Sequence, residues 1–134
     1  MPELPDITLY IEALRARILG QRLERTRVLS PFLLRSVDPP LDAAHAAKVV
    51  AFERLGKRIA IGFENDVWLV LHLMIAGRLQ WRADWPASFT RVTAVALGFE
   101  GGTLLLTEAG TKKRASLHLV RGHAGLAAHQ PGGI

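Results

Sequence analysis

Only one stretch of this 134-residue chain has helical periodicity, and almost everything after residue 48 reads as short strands. Across residues 5–19, Ile7, Tyr10, Ile11, Leu14 and Ile18 recur at three- and four-residue steps, Glu12, Arg15 and Arg17 face elsewhere, and Gly20 stops the run. Such a helix needs a surface for its apolar stripe, and the rest of the chain supplies a sheet. Residues 22–29 form a weakly patterned strand ended by Ser30-Pro31. Asp38-Pro39-Pro40 is a loop, and residues 42–48 are expected as a short helix starting from an Asp cap. Residues 49–52 and 58–63 are β-rich runs flanking Glu53-Arg54-Leu55-Gly56-Lys57, with a turn at Glu64-Asn65-Asp66. Residues 67–74 are almost wholly apolar, as in a buried strand. Gly77 then breaks the run, and residues 79–81 resume it before a loop around Asp84-Trp85-Pro86. Residues 92–99 alternate, Glu100-Gly101-Gly102 turns, residues 103–107 pair back as a hairpin, and residues 115–120 close the set. The expectation is a mainly β fold: an antiparallel two-sheet β-sandwich of seven to eight strands after one long N-terminal helix, with helices at its edge.

Composition narrows the function classes. A chain of this length holds one domain with a real core, and 49% hydrophobic against 22% charged residues is globular rather than disordered. A net charge of +5 points to a polyanionic partner, most simply nucleic acid. Cysteine is absent, which excludes disulfides and thiolate zinc ligation within these residues. His45, His118, His123 and His129 have no metal-site spacing. No signal segment or bilayer-length apolar run is present, so a soluble intracellular, cytoplasmic protein is the expectation.

Chemistry concentrates at Met1-Pro2-Glu3-Leu4-Pro5-Asp6. If an aminopeptidase removes Met1, Pro2 becomes a secondary amine. An α-amino group titrates near ~8, and the positive pole of the following helix favours its neutral, nucleophilic form. It can attack a carbonyl or a sugar anomeric carbon, and its adduct is a cationic iminium that serves as an electron sink. Glu3 is the adjacent candidate proton shuttle. The same residues also suit an ordinary helix start, with proline and acids in the first turn. Further along, Lys57 lies in a basic patch with Arg54 and Arg58, suited to phosphate or to plain solvation.

Pro2-Glu3-Leu4-Pro5-Asp6 resembles the opening Pro-Glu-Leu-Pro-Glu of the formamidopyrimidine-DNA glycosylase and endonuclease VIII family. The resemblance implies that Pro2 is the nucleophile and Glu3 the acid/base, with Asp6 a supporting group one methylene shorter than the family's glutamate. Gly56-Lys57 matches the family's Gly-Lys or Ala-Lys pair, which gives Lys57 a catalytic place beside the phosphate of the flipped nucleotide. His72-Leu73-Met74-Ile75-Ala76-Gly77 resembles His-Leu-Gly-Met-Ser-Gly, whose methionine enters the duplex where the damaged nucleotide leaves. Without a gap, Ile75 is the positional match to that wedge and Met74 the chemical one. Glu108-Ala109-Gly110-Thr111-Lys112-Lys113-Arg114 stands where the family has Asp-Pro-Arg-Arg-Phe-Gly. Lys112, Lys113 and Arg114 supply charge there for DNA, but the loop is about two residues longer and carries no aromatic.

The resemblance spans essentially the whole chain, yet only the N-terminal half of a typical family member. It implies a glycosylase-like domain over residues 1–121 and a linker-like tail over 122–134, leading to a helix-two-turns-helix domain and usually a four-cysteine zinc finger. The implied function is a base-excision repair DNA glycosylase with AP lyase activity on oxidised or ring-opened bases. Its partner is double-stranded damaged DNA, bound as a monomer, with no membrane. It needs no cofactor in this domain, zinc belonging to the other half, and localises to the cytoplasm, at the nucleoid if bacterial. Two other readings are a non-catalytic damaged-DNA-binding module and a basic β-rich domain whose partner is not DNA.

Overall fold

The computed structural model describes residues 4–31, 33–35, 39–111 and 113–127, with the backbone alone for residues 4–6. Helix α1 spans Leu4–Ile18, one residue earlier at each end than periodicity indicated. Its stripe does what the spacing demands: Ile7, Leu14 and Ile18 are buried, and Tyr10 and Ile11 pack partly against them. Eight strands follow among the described residues: β1 Leu23–Val28, β2 Val49–Leu55, β3 Arg58–Phe63, β4 Val67–His72, β5 Gly77–Arg82, β6 Thr93–Phe99, β7 Gly102–Glu108 and β8 Ser116–Arg121. They form two antiparallel four-stranded sheets, in the orders β1-β6-β7-β5 and β2-β3-β4-β8. The expected sandwich with a long helix at its edge is the observed fold.

The inner faces interdigitate Phe52, Ile59, Ile61, Leu69, Leu71 and Leu117 from one sheet with Leu23, Val95, Leu97, Phe99, Leu104 and Leu106 from the other. Helix α1 closes one side of this core. It packs on β2 and β3, and its Arg17 guanidinium lies 5.4 Å from the Trp81 ring of β5.

Five local expectations are corrected. The helix expected over residues 42–48 is a 3-10 turn, Leu41–Ala44. Asp42 makes no cap, and the chain turns away through a left-handed Ala46 (φ 66°). Strand β2 continues to Leu55, because Glu53 and Arg54 stay in register with Ala60 and Ile59. That leaves only Gly56-Lys57 as the hairpin turn. Gly56 takes φ 63° and Lys57 does not, the order a type II′ turn requires. The apolar run from Val67 ends as a strand at His72, and the break falls at Leu73–Ala76, with Gly77 opening β5.

The fourth correction concerns the tail. Gly122–Ala127, expected to begin a linker, is helix α2. Its Leu126 packs with Leu55, Ala60, Trp68 and Val70 on the outer face of the second sheet. This cover explains why β4 is apolar from Val67 to Leu71: one face lines the core and the other lies under α2. Strand β6 is likewise buried along its whole length rather than on alternate residues. The loop after β5 folds back so that Trp85 lies over Gly98 and under Arg25, 3.9 Å from ring centroid to guanidinium carbon.

Candidate nucleic-acid interface

Register alone gathers the candidate residues at one end of the sandwich. Arg58 pairs with His72 and His72 with Ser116, so the Gly56-Lys57 turn, the end of β4 and the start of β8 lie side by side. Leu73–Ala76 carries the chain from β4 across to the other sheet, where Gly77 pairs with Glu108. Residues 109–115 then return from β7 to β8. Segments around residues 57, 75 and 114 therefore share one rim. The start of α1 is directed to this end as well. Gly20 donates to the Val49 carbonyl (2.8 Å) and the Arg15 guanidinium lies 5.3 Å from the Phe52 ring, so the helix runs antiparallel to β2. A helix of this length spans ~22 Å and β2 spans ~23 Å, which places the helix start level with the β2–β3 turn. Pro2 and Glu3 lie outside the described residues, as do Lys112 and the side chain of Asp6.

The corner at Leu73–Ala76 is built by its backbone. The Gly77 N–H donates to the Leu73 carbonyl (2.9 Å). A Cβ on Gly77 would lie 2.2 Å from that same oxygen, so only glycine fits. Met74 takes a left-handed conformation, φ 59°, unusual for a long side chain. The two wedge candidates separate as a result: Met74 is half-buried, whereas Ile75 stands out with 62% of its surface exposed. Ile75 and Ala76 form one wall of a cavity of about 510 Å³, and Glu108, Gly110, Thr111 and Arg114 form the remainder.

The cations take different roles. Lys57 sits exposed at the turn tip, and Arg54 is exposed beside it near the end of β2. Arg58 Nε donates to His72 Nδ1 at a long 3.4 Å. Burial first, and then the positive charges of Arg58 and Lys57, lower the His72 pKa below the ordinary histidine value, which favours the neutral ring. The proton then belongs on Nε2, which is buried and has no hydrogen-bond partner among the described residues. Lys113 is half-buried and donates from Nζ to the Glu108 carbonyl (2.7 Å), whereas the Arg114 side chain faces the cavity.

Two residues were missed by sequence reasoning. His72 appears in the sequence as an ordinary strand residue, and only its pairing with Arg58 reveals a neutral ring among cations. Glu108 is a buried carboxylate at the head of a basic loop. A lone acid ahead of Lys112-Lys113-Arg114, after an apolar strand, was the available signal. No group of three or more histidine or carboxylate side chains able to hold a metal occurs among the described residues, and no described helix is long and apolar enough to cross a membrane.

A β-sandwich closed by one helix, with Lys57, Ile75 and Arg114 brought to one end and a cavity between the last two, defines a basic β-rich domain with a cleft at one rim. The chain belongs to the formamidopyrimidine-DNA glycosylase N-terminal domain family, whose sequence profile matches residues 1–115. The formamidopyrimidine-DNA glycosylase of Laribacter hongkongensis is 35% identical over 81 residues, 60% of this chain and 30% of that protein. That of Solibacter usitatus is 32% identical over 110 residues, 81% of this chain and 40% of that protein. The chain thus spans well under half the length of these relatives. The same fold occurs in the Lactococcus lactis Fpg solved in complex with abasic-site DNA, with a TM-score of 0.84 at 20% identity over 95% of this chain and 47% of that one.

Proposed function

We propose that this chain is the nucleophile-bearing part of a base-excision repair DNA glycosylase with AP lyase activity on oxidised or ring-opened bases. The observation that carries the reading is the convergence of Lys57, Ile75 and Arg114 on the end of the sandwich toward which α1 starts, in a chain of this family. Double-stranded damaged DNA is the partner. Lys57, with Arg54 and Arg58 behind it, grips phosphate near the flipped nucleotide, Ile75 enters the gap, and Arg114 faces the bases beside it.

Pro2, freed of Met1, attacks C1′ of the flipped nucleotide. The bond to the damaged base breaks, and the base leaves with the electron pair and a proton. The sugar opens and is held as the Pro2 iminium. Glu3 moves protons through ring opening and then through elimination, in which loss of a C2′ proton expels the 3′ phosphate and cleaves the strand. The residues that carry this chemistry require no soluble cofactor.

Borohydride trapping on duplexes containing an abasic site or an oxidised purine tests this, once the N-terminal mass confirms removal of Met1. A covalent protein–DNA product is expected, and it should disappear when Pro2 is blocked. Pro2→Gly or Glu3→Gln should abolish strand cleavage and spare binding. DNA affinity without trapping in the full-length protein would instead identify a non-catalytic damaged-DNA-binding module. Affinity that is absent, or indifferent to salt, would refute both DNA readings.

A further inference from the structure

Glu108 is the one buried charged residue among those described, 3% exposed at the end of β7. Its Oε2 accepts the N–H of Arg114 (2.9 Å) and the N–H of Ala115 (2.8 Å), and its backbone carbonyl accepts from Lys113 Nζ. A carboxylate is kept away from water only where hydrogen bonds replace hydration, and bonds from backbone N–H groups to an ionised oxygen are among the stronger ones. The far end of the 109–115 loop is therefore folded back onto the residue from which the loop departs. Ala115 turns inward and is buried, while Arg114, held at its own N–H, remains exposed at the cavity rim opposite Ile75. The two described cations of the loop are thereby separated: Lys113 closes the loop and Arg114 faces outward.

We propose that Glu108 is a positioning residue, whose carboxylate holds the backbone at Arg114 so that the guanidinium is presented to DNA beside the Ile75 wedge. The inference rests on the function proposed above and deepens it: Arg114, rather than Lys113, makes the DNA contact, and it does so through Glu108. The lengthened loop stays productive because one side chain fixes its exit rather than because its sequence is rigid.

A double-mutant cycle on the full chain tests the coupling, with affinity measured for a duplex carrying a tetrahydrofuran abasic-site analogue and melting used to confirm folding. Arg114→Ala should weaken binding about tenfold. Glu108→Ala should weaken it to a similar extent, and the double variant should bind no worse than Arg114→Ala alone. Glu108→Gln keeps the volume and one accepting oxygen, so it is the variant least exposed to misfolding. Its smaller loss should likewise vanish in the Arg114→Ala background. Losses that multiply in the double variants, or a Glu108→Ala protein that binds like wild type, overturn the inference alone. A folded wild-type chain that binds no damaged duplex overturns the proposed function and the inference with it.

Discussion

The sharpest test of the interface is Ile75→Ala. This change removes three carbons, worth about 0.8 kcal/mol each when fully taken out of water, or about 2.4 kcal/mol together. In the free chain 62% of Ile75 is exposed, so DNA can newly cover that share, about 1.5 kcal/mol, or roughly a tenfold loss of affinity. The same exposure leaves only the remaining share, about 0.9 kcal/mol, as the upper limit of the loss in folding stability. The assay is competition binding of a duplex carrying the tetrahydrofuran analogue against a matched undamaged duplex, with a thermal melt of each variant. Because a wedge gains its contacts only where a nucleotide has left the stack, the tenfold loss should appear on the lesion duplex and be nearly absent on the intact one. Equal losses on both duplexes, or none on either, would refute the reasoning. So would a lesion-specific loss in Met74→Ala with Ile75→Ala unaffected, since that would make the half-buried side chain the wedge.

Other perturbations probe the framework. Gly77→Ala drives a Cβ to 2.2 Å from the Leu73 carbonyl oxygen, a backbone atom that cannot move without opening the corner. The cost should be about 3 kcal/mol or more, lowering Tm by roughly 10 °C, and a melt within two or three degrees of wild type would contradict the corner geometry. His72 has a folded-state pKa below its unfolded value near 6.5, so the unfolded chain binds more protons in the window between them. The stability gained from a neutral His72 is thus fully present above about pH 6.5 and is lost as pH falls through that window. His72→Gln should show a smaller drop in stability between pH 7.5 and 5.5 than wild type, measured by urea unfolding, and identical slopes would refute the assignment. Trp85→Ala removes the ring between Arg25 and Gly98. It should make residues 83–92 the first site of limited proteolysis, and unchanged cleavage kinetics would show that the loop is held by other contacts.

The fold was legible because its constraints are periodic. Ile7, Leu14 and Ile18 could share a face only on a helix, and the short β-rich runs punctuated by Gly56, Gly77 and Gly101 could bury themselves only as paired sheets. What escaped was set by contacts between distant residues. Nothing in residues 42–48 shows that Ala46 reverses the chain to bring Lys48 beside Arg22. The alternation read in residues 92–99 failed because the loop that precedes β6 folds back over it, with the Trp85 ring lying against Gly98, so that both faces of the strand are buried. Helix α2 was missed because its six residues have no periodic signal of their own and take their order from the patch around Trp68. In the candidate site, the residue types of Lys57 and Ile75 were readable. The roles of His72 and Glu108 were not, since each follows from a partner on another strand or across a loop.

The corner between β4 and β5 also explains how an aliphatic residue comes to stand exposed in so apolar a run. Side chains from Val67 to Leu71 alternate between the core and the cover of α2, and Leu73 returns to the core after the half-buried His72. The left-handed turn at Met74 interrupts the alternation, and the close approach of Gly77 to Leu73 fixes how far the chain must swing before β5 begins. Ile75 is exposed because the backbone on both sides of it is constrained, with strain at one neighbour and the absence of a side chain two residues on. The energy of that strain is supplied by the packing of two strands in different sheets, so the wedge candidate is held from the body of the sandwich. Across the cavity, Arg114 is held in the same manner by Glu108 at the end of β7, which pairs with Gly77 itself. The two walls of the site are therefore coupled through one cross-strand pair, and their separation is set by the sheet rather than by the loops that carry them.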